Sequence, residues 1–266
     1  MAPTYEYETI LVEKAEDLVA TVTINRPKAL NSFNKLMMDE FRDLWADLAH
    51  DPKVNAVFLR AAAGRAFCTG VDVKEPGDIT GSNDAWHAAD PGESLGPKYN
   101  RCWKPVVTAV HGMAAGGAFY WLNESDIIIC SPEATFFDPH VTYGMTAAVE
   151  PVGAVYRMPL GDVLRMTLLG NDERISAETA LRLGLVTEIV AEEQLWAHGR
   201  SLAALIAAKP PAAIQGSVRA IWESLDMPRS IALQNALSYT QIGNAGAMSQ
   251  VDRGAIMNKP QPFRVR

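Results

Sequence analysis

The chain is short of cysteine, of long apolar runs and of basic charge, and each shortage removes a class of protein. Its 266 residues hold three cysteines, Cys68, Cys102 and Cys130. They are scattered, odd in number and form no Cys-x-x-Cys or Cys/His spacing, so neither a disulfide framework nor a zinc module is expected. Three free thiols in a reducing compartment is the simplest reading. No run of eighteen apolar residues occurs, so no membrane-spanning helix is expected. The first nine residues are polar and aromatic and lack the basic and apolar regions of a signal sequence, which leads to the expectation of a cytoplasmic protein. Lysine and arginine number 24 against 31 aspartates and glutamates, a net charge of −7. With no basic stripe, a nucleic-acid partner is not expected. Internal repeats and low-complexity tracts are also missing.

What is present is an ordinary globular composition, 48% hydrophobic and 21% charged. A chain of this length buries a sizeable core without disulfides or metal. Residues 7–13 and 18–24 alternate or are β-branched around Ala15-Glu16-Asp17 and read as a hairpin. Met37, Phe41, Leu44 and Leu48 share one helical face behind a candidate N-cap, Asn34. Residues 55–60, 106–110 and 126–130 read as buried strands, with a helix over 116–123. Strands alternating with helices imply an α/β fold of βαβ units. After about Gly144 the pattern turns helical over 163–169, 177–183, 192–208, 212–225 and 230–242. Ser176 suits an N-cap and Gly184 a helix stop. Two parts are expected, a core over residues 1–200 and a helical extension over 201–266. Residues 75–98 are irregular and rich in Gly, Pro, Asp and Ser. Such a stretch forms a lid, a pocket wall or a surface insertion.

Two segments carry the chemistry: Phe67-Cys68-Thr69-Gly70-Val71-Asp72 and His111-Gly112-Met113-Ala114-Ala115-Gly116-Gly117-Ala118. Each puts glycine where a strand ends, and glycine permits tight turns and close approach to the peptide plane. One backbone N–H from each, aimed at one oxygen, would make an oxyanion hole. Cys68 lies inside the first segment, but no histidine stands at a diagnostic position to activate it.

These segments resemble those of the crotonase (enoyl-CoA hydratase/isomerase) superfamily. Residues 66–73 resemble its AFCAGADL-type signature, and residues 109–117 the AVNG run before a Gly-Gly pair. Asn25-Arg26-Pro27-Lys28-Ala29-Leu30-Asn31 looks like NRPKALNA, residues 168–177 like LTGxRISA, and residues 180–186 like the A-x-x-x-GLV that follows. All fall in family order. The resemblance implies a ββα-spiral core with a helical C-terminal trimerisation region, and homotrimers or hexamers. It also implies an acyl-CoA thioester as substrate, with coenzyme A entering as part of that substrate and no other cofactor or metal. By the same resemblance the hole donors are the N–H groups of Val71 and Gly117. Lys28, Ala29 and Leu30, with Asp72, Val73 and Lys74, match the stretches that wrap coenzyme A. Lys259 and Phe263 in the tail are candidates for a neighbouring subunit's ligand.

The proton-transferring half departs from the family. Its hydratases hold a water between two glutamates, one three residues after the Gly-Gly pair and one in an F-G-x-P-E motif. Here the first position is Tyr120, and the second motif reads Phe136-Phe137-Asp138-Pro139-His140. Tyr120 reads either as a proton donor or as an aromatic pocket wall; with an ordinary pKa near ~10 it is a poor base. His140, titrating near ~6.5 when unperturbed, is the candidate general base or acid. Glu150 reads as a partner of His140, as a base itself, or as a helix-start or surface carboxylate. Glu124, Asp126 and His111 read as structural. The expected activity is isomerisation, carbon–carbon hydrolysis or thioester hydrolysis rather than standard hydration. A non-catalytic acyl-CoA binder is the alternative.

Overall fold

The computed structural model describes residues 5–75, 90, 92–258, 263 and 265. They fall into two compact units, Met1–Ala207 and Ala208–Arg266. In the first, β1 (Ile10–Lys14) and β2 (Val19–Ile24) form the expected hairpin, with Ile10 opposite Ile24. A 3-10 turn over Pro27–Ala29 leads into α1 (Lys35–His50). Then come β3 (Ala56–Ala61), β4 (Ala66–Cys68), α2 (Gly92–Leu95), β5 (Val106–Val110), β6 (Met113–Ala115), α3 (Phe119–Glu124), β7 (Ile127–Cys130) and β8 (Thr135–Phe137). They are followed by α4 (Val149–Ala154), α5 (Leu160–Leu169), β9 (Ile175–Ser176), α6 (Ala177–Leu183), β10 (Glu188–Ile189) and α7 (Glu192–Ala207).

Two sheets result. One has six strands in the order β1-β2-β3-β5-β7-β10 and the other four, β4-β6-β8-β9. Among the described residues, only the β1–β2 and β8–β9 strand pairs are antiparallel. The pairs β3/β4, β5/β6 and β7/β8 each give one strand to the large sheet and the next to the small one. This repetition is the ββα spiral that the resemblance implies. The adjacent small-sheet strands β4 and β6 end at the two glycine segments, so the spiral delivers those segments to one place.

Parallel strands covered on both faces read as continuous apolar runs. Ala56, Phe58, Val107, Ala109 and Ile129 turn to α7, meeting Leu195, Ala203 and Ala207. Val57, Leu59, Val106, Val110 and Ile128 turn the other way, into the core that holds Met37, Phe41, Leu44 and Leu48 of α1. The alternation is the period of two dictated by the strand. Contact with α7 is close enough to require glycine: a Cβ at Gly199 would stand 2.5 Å from Phe58 Cε2. Asn34 caps α1, its side chain accepting from the Met37 N–H at 3.1 Å. Ser176 caps α6, which ends at Gly184 with φ +87°.

The division after Ala207 differs from the expected one at residue 200, which falls inside α7. The helix stays on the sheet to its last residue, where the Asn55 side chain donates to the Ala207 carbonyl at 3.0 Å. The second unit contains α8 (Pro211–Glu223), α9 (Arg229–Ala247) and α10 (Arg253–Asn258). Glu223 ties α8 to α9, accepting from the Tyr239 hydroxyl while Arg219 Nε donates to it at 2.7 Å. Ile221, Leu233, Leu237 and Ile242 are exposed. No helix among the described residues is long and apolar enough to cross a membrane. Most of the irregular 75–98 segment, including Trp86 and His87, lies outside the described residues, as does Lys259; Phe263 is exposed.

Candidate active site

The half expected to polarise a carbonyl is built from backbone. The Phe33 N–H donates to the Gly70 carbonyl at 2.9 Å and the Asp72 N–H to the Phe33 carbonyl at 2.7 Å. These are the arms of a parallel bridge between Phe33 and Val71. Because Gly70 and Asp72 supply the bonds, the N–H of Val71 points away from Phe33. Gly117 lies in the first turn of a 3-10 helix, Gly116–Ala118, where an N–H has no intrahelical acceptor. Gly70 (φ +86°) and Gly116 (φ +50°) both occupy left-handed backbone. The two segments touch main chain to main chain. A Cβ at Gly70 would lie 3.2 Å from the Gly117 nitrogen, and one at Gly117 would overlap the Phe33 ring. Glycine is therefore needed for the approach as well as for the turn.

The half expected to transfer protons is built from side chains. At the end of β8, Asp138 is fully buried. Its Oδ1 accepts the His140 backbone N–H at 3.0 Å, an Asx turn, and pairs with His140 Nδ1 at 2.6 Å. That contact puts the ring proton on Nδ1 and leaves Nε2 facing Glu150 Oε1 at 3.8 Å. His140 Cε1 lies beside the hole: a Cβ at Gly116 would be 3.3 Å from it. The bond to Asp138 raises the imidazole pKa above its ordinary value; burial opposes this, and the Asp138 and Glu150 charges add to it.

Glu150 lies in the first turn of α4 and is only 7% exposed, which excludes the surface-carboxylate reading. Burial raises its carboxyl above the usual range; helix-start backbone bonding and His140 oppose the rise, and Asp138 and Asp90 reinforce it. Tyr120 meets Phe33 edge-on, with ring centroids 6.1 Å apart. Burial first, then the Glu150 and Asp90 carboxylates, push its phenol far up, so it is a wall and a proton-bearing donor but not a base. All three residues expected to carry the acid–base chemistry thus come together. Two neighbours were not expected. Asp138 is signalled by Asp-Pro-x, a common Asx-turn sequence. Asp90 sits in the irregular segment with no motif around it; a Cβ at Gly92 would fall 2.8 Å from its Oδ2 and 2.9 Å from Tyr120 Cε1.

The residues matched to coenzyme A lie on two loops joined by Arg26. Its Nη1 donates to the Ser32 carbonyl and Asp72 Oδ2, both at 2.8 Å, and its Nη2 to Glu75 Oε2 at 2.8 Å. Leu30 and Asn31 turn the first loop at φ +53° and +55°. Asp72 also receives the Lys74 N–H at 3.0 Å, so its carboxylate is a strut between the loops. Lys28, Val73 and Lys74 remain exposed, with Ala29 and Leu30 half-buried.

The other titratable candidates have structural duties. Cys68 is buried and its thiol pushed up to about 12 by that burial. Cys102 and Cys130 are likewise buried and free. His111 is buried edge-on to Trp196 and its pKa is lowered by burial. Glu124 accepts the Lys98 N–H at 2.6 Å, and Asp126 holds Lys98 Nζ at 2.7 Å.

A model of the enoyl-CoA hydratase/isomerase family matches residues 14–254. An (E)-benzylidenesuccinyl-CoA hydratase from Thauera aromatica is 33% identical over 225 residues, covering 84% of this chain and 85% of the relative. A short-chain-enoyl-CoA hydratase from Clostridium acetobutylicum is 32% identical over 216 residues, covering 81% and 82%. The crystal structure of an enoyl-CoA hydratase/isomerase from Mycobacterium paratuberculosis superposes with a TM-score of 0.84 at 33% identity, covering 97% and 98%.

Proposed function

Since the chain belongs to the enoyl-CoA hydratase/isomerase family, we propose that it transforms an acyl-CoA through the thioester enolate, with the Val71 and Gly117 N–H groups on the oxygen and His140 moving the proton. The observation that carries this reading is the Asp138–His140 pair beside the glycine segments. Nε2 takes a proton from the carbon next to the carbonyl, and the electron pair moves to the thioester oxygen, where two N–H donors meet it. Each such donor is worth about 3 kcal/mol of transition-state stabilisation. Buried Asp138 offsets the imidazolium charge that forms. Return of the proton two carbons further along gives an isomerase. Alternatively Nε2 takes the proton of a water that adds to a β-ketone; the Cα–Cβ bond breaks, its electrons enter the thioester enolate, and His140 protonates Cα. One base serves both courses. Lys28, Val73 and Lys74 face outward to take the coenzyme, and the exposed apolar residues of α8 and α9 are the proposed self-association surface.

A second reading, hydration, has its own support. His140 Nε2 and Glu150 Oε1, 3.8 Å apart, are too distant for a direct hydrogen bond. A water held between them would be activated by one and returned a proton by the other. The relatives named above are hydratases. Against it stands the replacement of both family glutamates, so crotonyl-CoA is expected to be hydrated slowly. The test is a product screen with crotonyl-CoA, a 3-enoyl-CoA and a β-ketoacyl-CoA, using His140→Ala as control. Isomerised or cleaved product that vanishes in the variant supports the first reading, and fast crotonyl-CoA hydration supports the second. Binding without turnover of any substrate favours the non-catalytic binder.

A further inference from the structure

The charge around the proton-transferring groups is lopsided. Asp90 and Glu150 act on Tyr120, Asp138 and Glu150 on His140, and Asp90 and Asp138 on Glu150. The groups with the largest influence on Tyr120 and Glu150 are carboxylates and one imidazole; no lysine or arginine is among them. Residues 76–89 contain no lysine or arginine either. Two carboxylate oxygens in this cluster, Asp90 Oδ1 and Asp138 Oδ2, are buried with no hydrogen-bond partner among the described residues. An unmet buried acceptor is costly unless a donor arrives. Asp138 spends its other oxygen on His140, and its charge is matched there. Among the described residues no cation pairs with Asp90, and Glu150 only shares the His140 imidazole, 3.8 Å away; both carboxylates flank Tyr120, four residues along from the Gly116 that borders the hole.

We propose that the acyl group taken beside the thioester carbonyl bears no anionic substituent on its β-carbon, and that Asp90 and Glu150 are the residues that exclude one. This inference rests on the acyl-CoA reading above and narrows it. A like charge brought against desolvated carboxylates is strongly disfavoured, and building in such repulsion is a general route to specificity. A neutral group that donates a hydrogen bond meets no such penalty and satisfies an open acceptor. The preference separates this chain from its relative named for a benzylidenesuccinyl substrate, whose succinyl portion carries a carboxylate.

The test is a binding comparison of three ligands that differ only at the β-carbon. Butyryl-CoA carries a methyl, succinyl-CoA a carboxylate, and succinamyl-CoA the uncharged amide of the same shape. For the wild-type protein, succinyl-CoA is expected to bind at least about tenfold more weakly than butyryl-CoA, with succinamyl-CoA within about threefold of butyryl-CoA. Asp90→Asn and Glu150→Gln should each narrow the succinyl gap, with the folding of each variant checked separately by its circular dichroism melt. Succinyl-CoA binding as tightly as butyryl-CoA, or a gap that neither variant alters, would overturn this inference alone. Failure of all three ligands to bind would overturn the acyl-CoA reading and this inference with it.

Discussion

The two halves of the candidate site are made of different material. The half proposed to polarise the carbonyl is main chain: the Phe33–Val71 bridge, Gly70, and a 3-10 turn that begins at Gly116. The half proposed to move protons is side chain: Asp138 and His140 from the turn after β8, Glu150 from α4 and Tyr120 from α3. Main-chain donors survive most substitutions because every non-proline residue has an N–H. Side-chain acids and bases can be exchanged without disturbing the strands that carry them. A fold can therefore keep its ligand chemistry while its reaction drifts, and under the proposed function this chain keeps the first half and replaces the second.

That contrast can be broken in four places. The largest effect is expected at His140. His140→Ala should lower turnover about 10²–10⁴-fold, the range of a lost general base, while acyl-CoA affinity stays within about threefold, since the lost contribution belongs to the transition state. Steady-state kinetics alongside calorimetric binding would check the split. Next is Gly117→Ala, whose Cβ would overlap the Phe33 ring and displace the hole. Turnover should fall about 10²-fold, as for a damaged oxyanion hole. If this variant spared turnover, the main-chain half would not be the polarising half.

The third effect is a shift in pH dependence. A base works unprotonated, so activity should climb with pH through the His140 pKa, which Asp138 holds above the ordinary imidazole value. Asp138→Asn should move that limb to lower pH. The same interaction makes a contribution to stability that is complete below the unfolded-state pKa and lost as pH rises through the raised folded one. Melting curves of wild type and Asp138→Asn across that interval should converge toward high pH. The smallest effect lies outside the site. Asn34→Ala removes the α1 cap and should cost about 1 kcal/mol of stability, read from denaturant unfolding, with the His140 titration unmoved. A shifted titration would mean that the site depends on the helix behind it.

Legibility in the sequence followed the same division. The hairpin, α1 with its cap, β5 and α6 with its stop were readable because each rests on local periodicity or a capping residue. The hole was readable because a close main-chain approach leaves a glycine signature. The acid–base group was only half readable. His140, Tyr120 and Glu150 stand at informative positions, whereas Asp138 declares itself only through a local Asx turn that many aspartates make. Asp90 and the Arg26–Asp72 strut were invisible because they depend on segments brought together from far apart. The position of the unit boundary was missed because α7 holds the sheet through buried Ala203 and Ala207, which a helical period alone does not distinguish from any other apolar stripe.

Exchange of the α-protons of butyryl-CoA in heavy water, followed by NMR, tests the joint action of the two halves without requiring the natural substrate. Enolate formation in the hole with His140 as base should give deuterium uptake at Cα with the wild-type protein and at least about 10²-fold slower uptake with His140→Ala, at matched ligand occupancy. Uptake that persists unchanged in His140→Ala would contradict the assignment of His140 as the proton-moving group.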